Sequence, residues 1–150
     1  MNIPKIKMLV LSLTGECNFA CKYCYASEHE SSMLKVDDAL KAVDLAAGSG
    51  EKFVIQFSGG EPLLNFECLK AVVAYVQQKN LPAVLQIQTN GSLMTDEIAR
   101  YLFENKVAIG VSLDGRPKVN DKLRLTESPK DGTGQAARCR RWSWSRAGEQ

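Results

Sequence analysis

Three cysteines fall within eight residues, Cys17-Asn18-Phe19-Ala20-Cys21-Lys22-Tyr23-Cys24, at the spacing C-x3-C-x2-C. A loop this short can turn three thiolates toward one point, as a metal ion or an iron–sulfur cube requires. It offers three ligands where a closed structural site needs four, so a cube held here would keep one iron open. Immediately upstream, Met8 to Leu13 is a continuous apolar run of strand length. Strand first, then ligand loop, is the geometry of a site built at the carboxyl ends of parallel strands. Phe19, Tyr23 and Tyr25 interleave with the cysteines and are expected to shield the site from water.

The rest of the chain repeats that plan. Val36, Ala39, Leu40, Val43 and Ala47 recur at helical spacing; Asp37 and Asp38 suit the positive end of that helix, and Gly48 can end it. Phe53 to Ser58 alternates as a half-buried strand does, and Gly59-Gly60-Glu61-Pro62 follows at once. Asn65 is expected to cap a helix whose buried stripe is Leu69, Val72, Val73 and Val76. A third strand at Val84 to Thr89 runs through Asn90-Gly91 to a helix begun by Thr95, and Val107 to Leu113 reads as a fourth strand. In that strand Val107, Ile109, Val111 and Leu113 share one face, expected to meet the helices. Ala108, Gly110, Ser112 and Asp114 share the other and would leave room inside a barrel. Strand and helix alternating in this way predict an α/β fold with a parallel sheet.

Charge and cysteine usage limit the classes of partner. The formal net charge is only +2, which implies neither nucleic acid nor a membrane surface. Lys5 and Lys7 ahead of six apolar residues look superficially like a secretory signal, but no small-residue cleavage site follows before the cysteines. An odd number of cysteines, three of them crowded in one loop, fits reduced thiols in the cytoplasm better than a disulfide scaffold. Cys68, in a helical stretch, is read as a small buried hydrophobe, and His29, flanked by acidic residues, as solvated. From residues alone, a zinc-stabilised binding module and a redox C-x2-C site stay open as alternatives for the cysteine loop.

The cysteine loop is followed in order by Gly59-Gly60-Glu61-Pro62, Thr89-Asn90-Gly91 and Ser112-Leu113-Asp114-Gly115, with Asn120-Asp121-Lys122-Leu123-Arg124 behind them. This set resembles the radical S-adenosylmethionine (SAM) superfamily. It is most like the branch of anaerobic sulfatase-maturating enzymes and related SPASM-type peptide maturases. The resemblance implies the first half of a partial (β/α)6 TIM-like barrel, about four parallel strands with three intervening helices. It also implies a [4Fe–4S] cluster on Cys17, Cys21 and Cys24, and SAM bound at the open iron for reductive cleavage to a 5′-deoxyadenosyl radical. By matching motif positions, Tyr23, Gly60, Ser112 and Arg124 are expected to touch SAM. Gly59 and Gly60 would let backbone approach its methionine moiety, Glu61 would set a carboxylate near its ammonium, and Arg124 would pair with its carboxylate. Thr89 and Asn90 are left either at the same rim or merely shaping the turn.

Implied partners are a peptide or protein substrate and an external one-electron reductant of the flavodoxin or ferredoxin type. No catalytic side chain beyond these cofactor contacts is assigned. The similarity is expected to span residues 1–134, the N-terminal part of the family's domain. Residues 135–150 are basic and weakly patterned and read as an aberrant, disordered tail, so a truncated or frame-shifted chain is the expectation. An open barrel edge would then favour self-association. A non-catalytic remnant that binds a cluster without turnover is the second reading.

Overall fold

The computed structural model describes residues 5–25 and 31–125. His29 and the 135–150 tail, both singled out above, lie outside the described residues. Four strands, β1 (Met8–Ser12), β2 (Phe53–Ser58), β3 (Ala83–Thr89) and β4 (Ala108–Val111), form one sheet in the order β1-β2-β3-β4. Every pairing is parallel, with Leu11 opposite Phe57, Phe57 opposite Ile87 and Thr89 opposite Val111. The crossovers are α1 (Val36–Ala47), a 3-10 turn at Pro62–Asn65 running into α2 (Phe66–Gln78), and α3 (Asp96–Glu104). A further helix, α4 (Pro117–Leu123), follows β4. Sequence periodicity does not reveal α4, because seven residues span too few turns to show a stripe. No helix among the described residues is long and apolar enough to cross a membrane.

Alternation in the strands decides where the core sits. Leu11, Phe53, Ile55, Phe57, Leu85 and Ile87 lie on one face of the sheet and are buried against Ala39, Val43, Leu69, Val72, Val73 and Leu102 of the helices. Cys68 is buried in the same core, as its helical position implies. The opposite face carries Met8, Val10, Gln56, Gln86 and Gln88, with no helix laid over it among the described residues. Thr95 caps α3 as expected, accepting from the Ile98 N–H at 3.2 Å.

Two local expectations change. Asn65 stands at the cap position of α2 but makes no capping bond; its amide donates instead to the Leu13 and Leu34 carbonyls, at 2.8 and 3.1 Å. It therefore ties the end of β1 to the entry of α1. The fourth strand is Ala108–Val111 rather than Val107–Leu113, since its partner β3 ends at Thr89. Only Val107 of its large residues is buried; Ile109, Val111 and Leu113 are 42, 46 and 69 % exposed. The helices do not reach far enough across the sheet to cover them.

Candidate functional site at the carboxyl ends of the strands

The cysteine loop leaves β1 from a fixed point. Leu13 donates to the Ser58 carbonyl at 2.9 Å, and on the other side Gly15 donates to Ser32 and Leu34 to Leu13, each at 2.9 Å. Gly60 and Glu61 donate their N–H groups to the Thr14 and Glu16 carbonyls, both at 2.8 Å. A Cβ at Gly60 would fall on the Glu16 carbonyl, and one at Gly59 on that of Thr14. Gly59 also has φ +129°, a conformation side chains rarely tolerate. The space a side chain would need at either glycine is thus filled by this chain's own backbone, which is reason enough for both to be small.

Glu61 joins two of the rim turns to each other. Its side chain is buried, at 1 % exposure, and accepts from the Thr89 hydroxyl at 2.6 Å and the Leu63 and Asn90 N–H groups at 3.2 and 2.8 Å. Such a carboxylate is held by internal donors. It fastens the Gly-Gly-Glu-Pro turn to the Thr-Asn-Gly turn. Asn90 carries the connection onward: its amide donates to Asn18 Oδ1 at 3.0 Å and lies 3.9 Å from Cys17 Sγ. Asn18 donates to the Ser92 hydroxyl at 2.8 Å, which itself donates to Asn90 Oδ1 at 2.7 Å. Asn90 therefore both shapes the turn and braces the first cysteine.

On the loop's other flank, the Tyr23 hydroxyl donates to Asp114 Oδ2. Arg124 forks onto the same carboxylate, Nε to Oδ2 at 3.0 Å and Nη2 to Oδ1 at 3.4 Å, and its guanidinium stands 5.6 Å from the Tyr23 ring centre. The tyrosine hydrogen bond, then the arginine, hold the Asp114 carboxyl below its ordinary range. The same bond from Tyr23 raises the phenol. Ser112, on the small-residue face as expected, accepts from Gln88 Nε2 at 2.8 Å. The Gln86 amide donates to Gln56 Oε1 at 2.9 Å, so uncharged amides line a cleft of about 270 Å³ beside Gly110.

Cys17, Cys21 and Cys24 are all free thiols and all partly exposed at this rim. Burial pushes the Cys17 thiol up, with Glu61 and the other two cysteines adding to it against the Phe19 N–H. Burial also raises Cys21, partly offset by Arg124. Among the described residues no three His, Cys, Asp or Glu side chains converge as a single metal ion would need. A cube spreads its thiolates more widely than one ion does, and three soft, mutually repelling sulfurs in one partly covered loop fit a cationic iron–sulfur core. Of the three interleaved aromatics Phe19 is buried, whereas Tyr23 and Tyr25 are 52 and 90 % exposed.

Residues 11–136 match the model of the radical SAM superfamily. The chain belongs to this superfamily. An uncharacterised protein of Methanocaldococcus jannaschii is 35 % identical over 133 residues, 87 % of this chain and 46 % of its own length. The Fe-coproporphyrin III synthase of Methanosarcina barkeri is 37 % identical over 124 residues, 80 % of this chain and 30 % of its own. A cysteine-type anaerobic sulfatase-maturating enzyme of Clostridium novyi is 28 % identical over 140 residues, 85 % of this chain and 37 % of its own. Among solved structures, native anSMEcpe with bound AdoMet and the Cp18Cys peptide superposes with TM-score 0.72 at 26 % identity, over 82 % of this chain and 35 % of that one. The radical SAM chain described here thus spans less than half the length of these relatives. Its four parallel strands with intervening helices are the α/β arrangement of the family's partial TIM-like barrel.

Sequence reasoning missed three contributors to the rim: Asn18, Ser92 and Asp114. Asn18 stands inside the cysteine spacing and Asp114 inside a quoted motif, but polar residues in turns carry no signal of which distant side chain they meet. The charge complement of Asp114 and Arg124, ten residues apart, was the one readable hint.

Proposed function

We propose that this radical SAM chain binds a [4Fe–4S] cluster on Cys17, Cys21 and Cys24, and SAM at the adjoining rim, in an enzyme of the peptide- or protein-maturase kind. One observation carries the reading. All four motifs, far apart in sequence, meet around the cysteine loop at one end of a parallel sheet, joined through Asn90 and Glu61 on one flank and Asp114 on the other. When bound, the reduced cluster supplies the electron that cleaves SAM to the 5′-deoxyadenosyl radical.

The chain's own residues hold and orient. Arg124 spends Nε and one Nη2 proton on Asp114, leaving guanidinium N–H groups for a carboxylate ligand. Ser112 adds a hydroxyl on the open face, and the Tyr23 ring lies beneath the guanidinium. Gly59 and Gly60 act by letting the loop close on β1, with their backbone at the ligand's edge. A peptide substrate is supported by the peptide-bound anSMEcpe relative and suits the uncharged amides of the open face. The reductant is an external one-electron carrier, and free thiols suit the cytoplasm. The exposed apolar residues of β4, beside a hollow of about 520 Å³ lined by Phe103, Lys106 and Val107, support self-association of the 150-residue chain through that edge.

Anaerobic reconstitution tests the reading. Iron, sulfide and a visible charge-transfer band are expected in the wild type, lost in Cys→Ala variants at 17, 21 or 24 and kept in Cys68→Ala. Addition of SAM and reductant should then yield 5′-deoxyadenosine. Stoichiometric zinc in place of iron would establish a zinc module instead. An iron-loaded protein that makes no 5′-deoxyadenosine would instead establish the second reading, a cluster binder without turnover.

A further inference from the structure

Asp114 joins three parts of the chain. It lies just past β4, receives Tyr23 from the cysteine loop and Arg124 from the end of α4, and donates its own N–H to Asn120 Oδ1 at 3.1 Å. Asn120 is itself buried, so the carboxylate stands on a fixed base. Beside this cluster the middle of the cysteine loop is stitched to the segment that carries Arg124. Ala20 donates to the Leu125 carbonyl at 2.6 Å and Lys22 to that of Leu123 at 3.0 Å. Those two amides bracket Cys21. Among the described residues these are the loop's backbone hydrogen bonds to another element between Cys17 and Cys24, and the Asn18 side chain adds the link already described.

We propose that Asp114 is the positioning residue of the cysteine loop: its carboxylate clasps Tyr23 to Arg124 and so holds Cys21 and Cys24 in the shape that accepts three irons. Resting on the cluster-binding reading above, the proposal adds the device that shapes the site before any cofactor arrives. A ligand loop that had to be ordered by the cluster would give up binding free energy to conformational entropy. The clasp is suited to this work because its ion pair is sheltered, with Arg124 14 % and Asp114 23 % exposed. Removing the carboxylate strands a half-buried guanidinium and frees Tyr23 together, which a surface ion pair would not do.

Amide hydrogen exchange on the cofactor-free protein reads the clasp directly. Asp114→Asn should speed exchange at Ala20 and Lys22 on the order of tenfold, the scale of one lost charge-assisted hydrogen bond, while the β2 amides keep their rates. Tyr23→Phe should do the same to a smaller extent, and the double variant should be no faster than Asp114→Asn alone, since Tyr23 acts through Asp114. In the reconstituted protein Asp114→Asn should lose iron to a chelator faster by a similar factor. Rates at Ala20 and Lys22 within about twofold of wild type would overturn the proposal, because bonds of this kind are worth more than that. So would a uniform rise that includes β2, which would make Asp114 a general stabiliser. If Asp114→Asn does not fold, Tyr23→Phe, altered at a half-exposed side chain, decides on the same readout. Wild type that takes up no iron would sink the cluster reading but leave the exchange result standing as a test of the clasp.

Discussion

Gln56 and Phe57 are neighbours in β2, yet they belong to opposite faces of the sheet with opposite duties. Phe57 is buried with Phe53 and Ile55 under α1 and α2, where apolar surface leaves water and every methylene is packed. Gln56 lies on the open face with Gln86, Gln88 and Ser112, where amides and a hydroxyl bond to one another and leave a cleft. The covered face carries the stability of the chain; the open face and its carboxyl rim carry the proposed chemistry. A rim residue can belong to either regime, and Glu61 shows it: a motif carboxylate beside the cysteine loop is nonetheless an interior group.

Substitutions on the two faces should separate accordingly. The largest effect is expected from Phe57→Ala, which should destabilise by about 3–5 kcal/mol through lost burial and a residual cavity. Val10→Ala on the open face should stay within about 0.5 kcal/mol, as surface changes do. Denaturant unfolding of the two variants measures the contrast directly, and equal losses would mean that the open face is not open in solution.

Next comes Gly60→Val. Its Cβ would fall on the Glu16 carbonyl, so the turn must move and take the start of the cysteine loop with it. We expect a cost of about 1–3 kcal/mol, as for overpacking, together with reduced iron uptake. Normal thermal stability with weakened SAM binding alone would restore the view that the glycine serves the ligand.

Glu61→Gln should cost about 1–3 kcal/mol, because one oxygen that accepts buried hydrogen bonds becomes a donor facing donors. Gln86→Ala, its counterpart on the open face, should leave unfolding within about 0.5 kcal/mol and alter only ligand affinity. Thermal melts paired with equilibrium binding of SAM or of a peptide would resolve the pair.

The smallest effect belongs to Asp44, on the outer surface of the helix layer. The Tyr75 hydroxyl at 2.7 Å, then Lys79 at 3.1 Å, lower its carboxyl. Because the folded pKa lies below the unfolded one, of about 3.9, the contribution is complete above that value and is lost as pH falls through the folded pKa. The melting-point gap between wild type and Asp44→Asn should therefore be small at neutral pH, shrink with added salt and close in acid. A gap that widened in acid would reverse the assignment.

Much of this molecule was legible in one dimension. Alternation in Phe53–Ser58 and Ala83–Thr89, helical spacing from Val36 to Ala47 and the cap at Thr95 are local consequences of backbone geometry, so the elements and their parallel plan follow from neighbours in sequence. The cysteine spacing likewise puts the three proposed ligands in one loop. What the residues do at the rim was decided only by the tertiary structure. Gly60 must be small because Glu16 passes beside it, and Glu61 is buried because Thr89 and Asn90 deliver donors to it. Asp114 becomes a hub because β4 ends where Tyr23 and Arg124 both arrive. Each of these depends on a partner between ten and ninety-one residues away, and the pairing of polar groups at such range has no periodicity for a sequence to display.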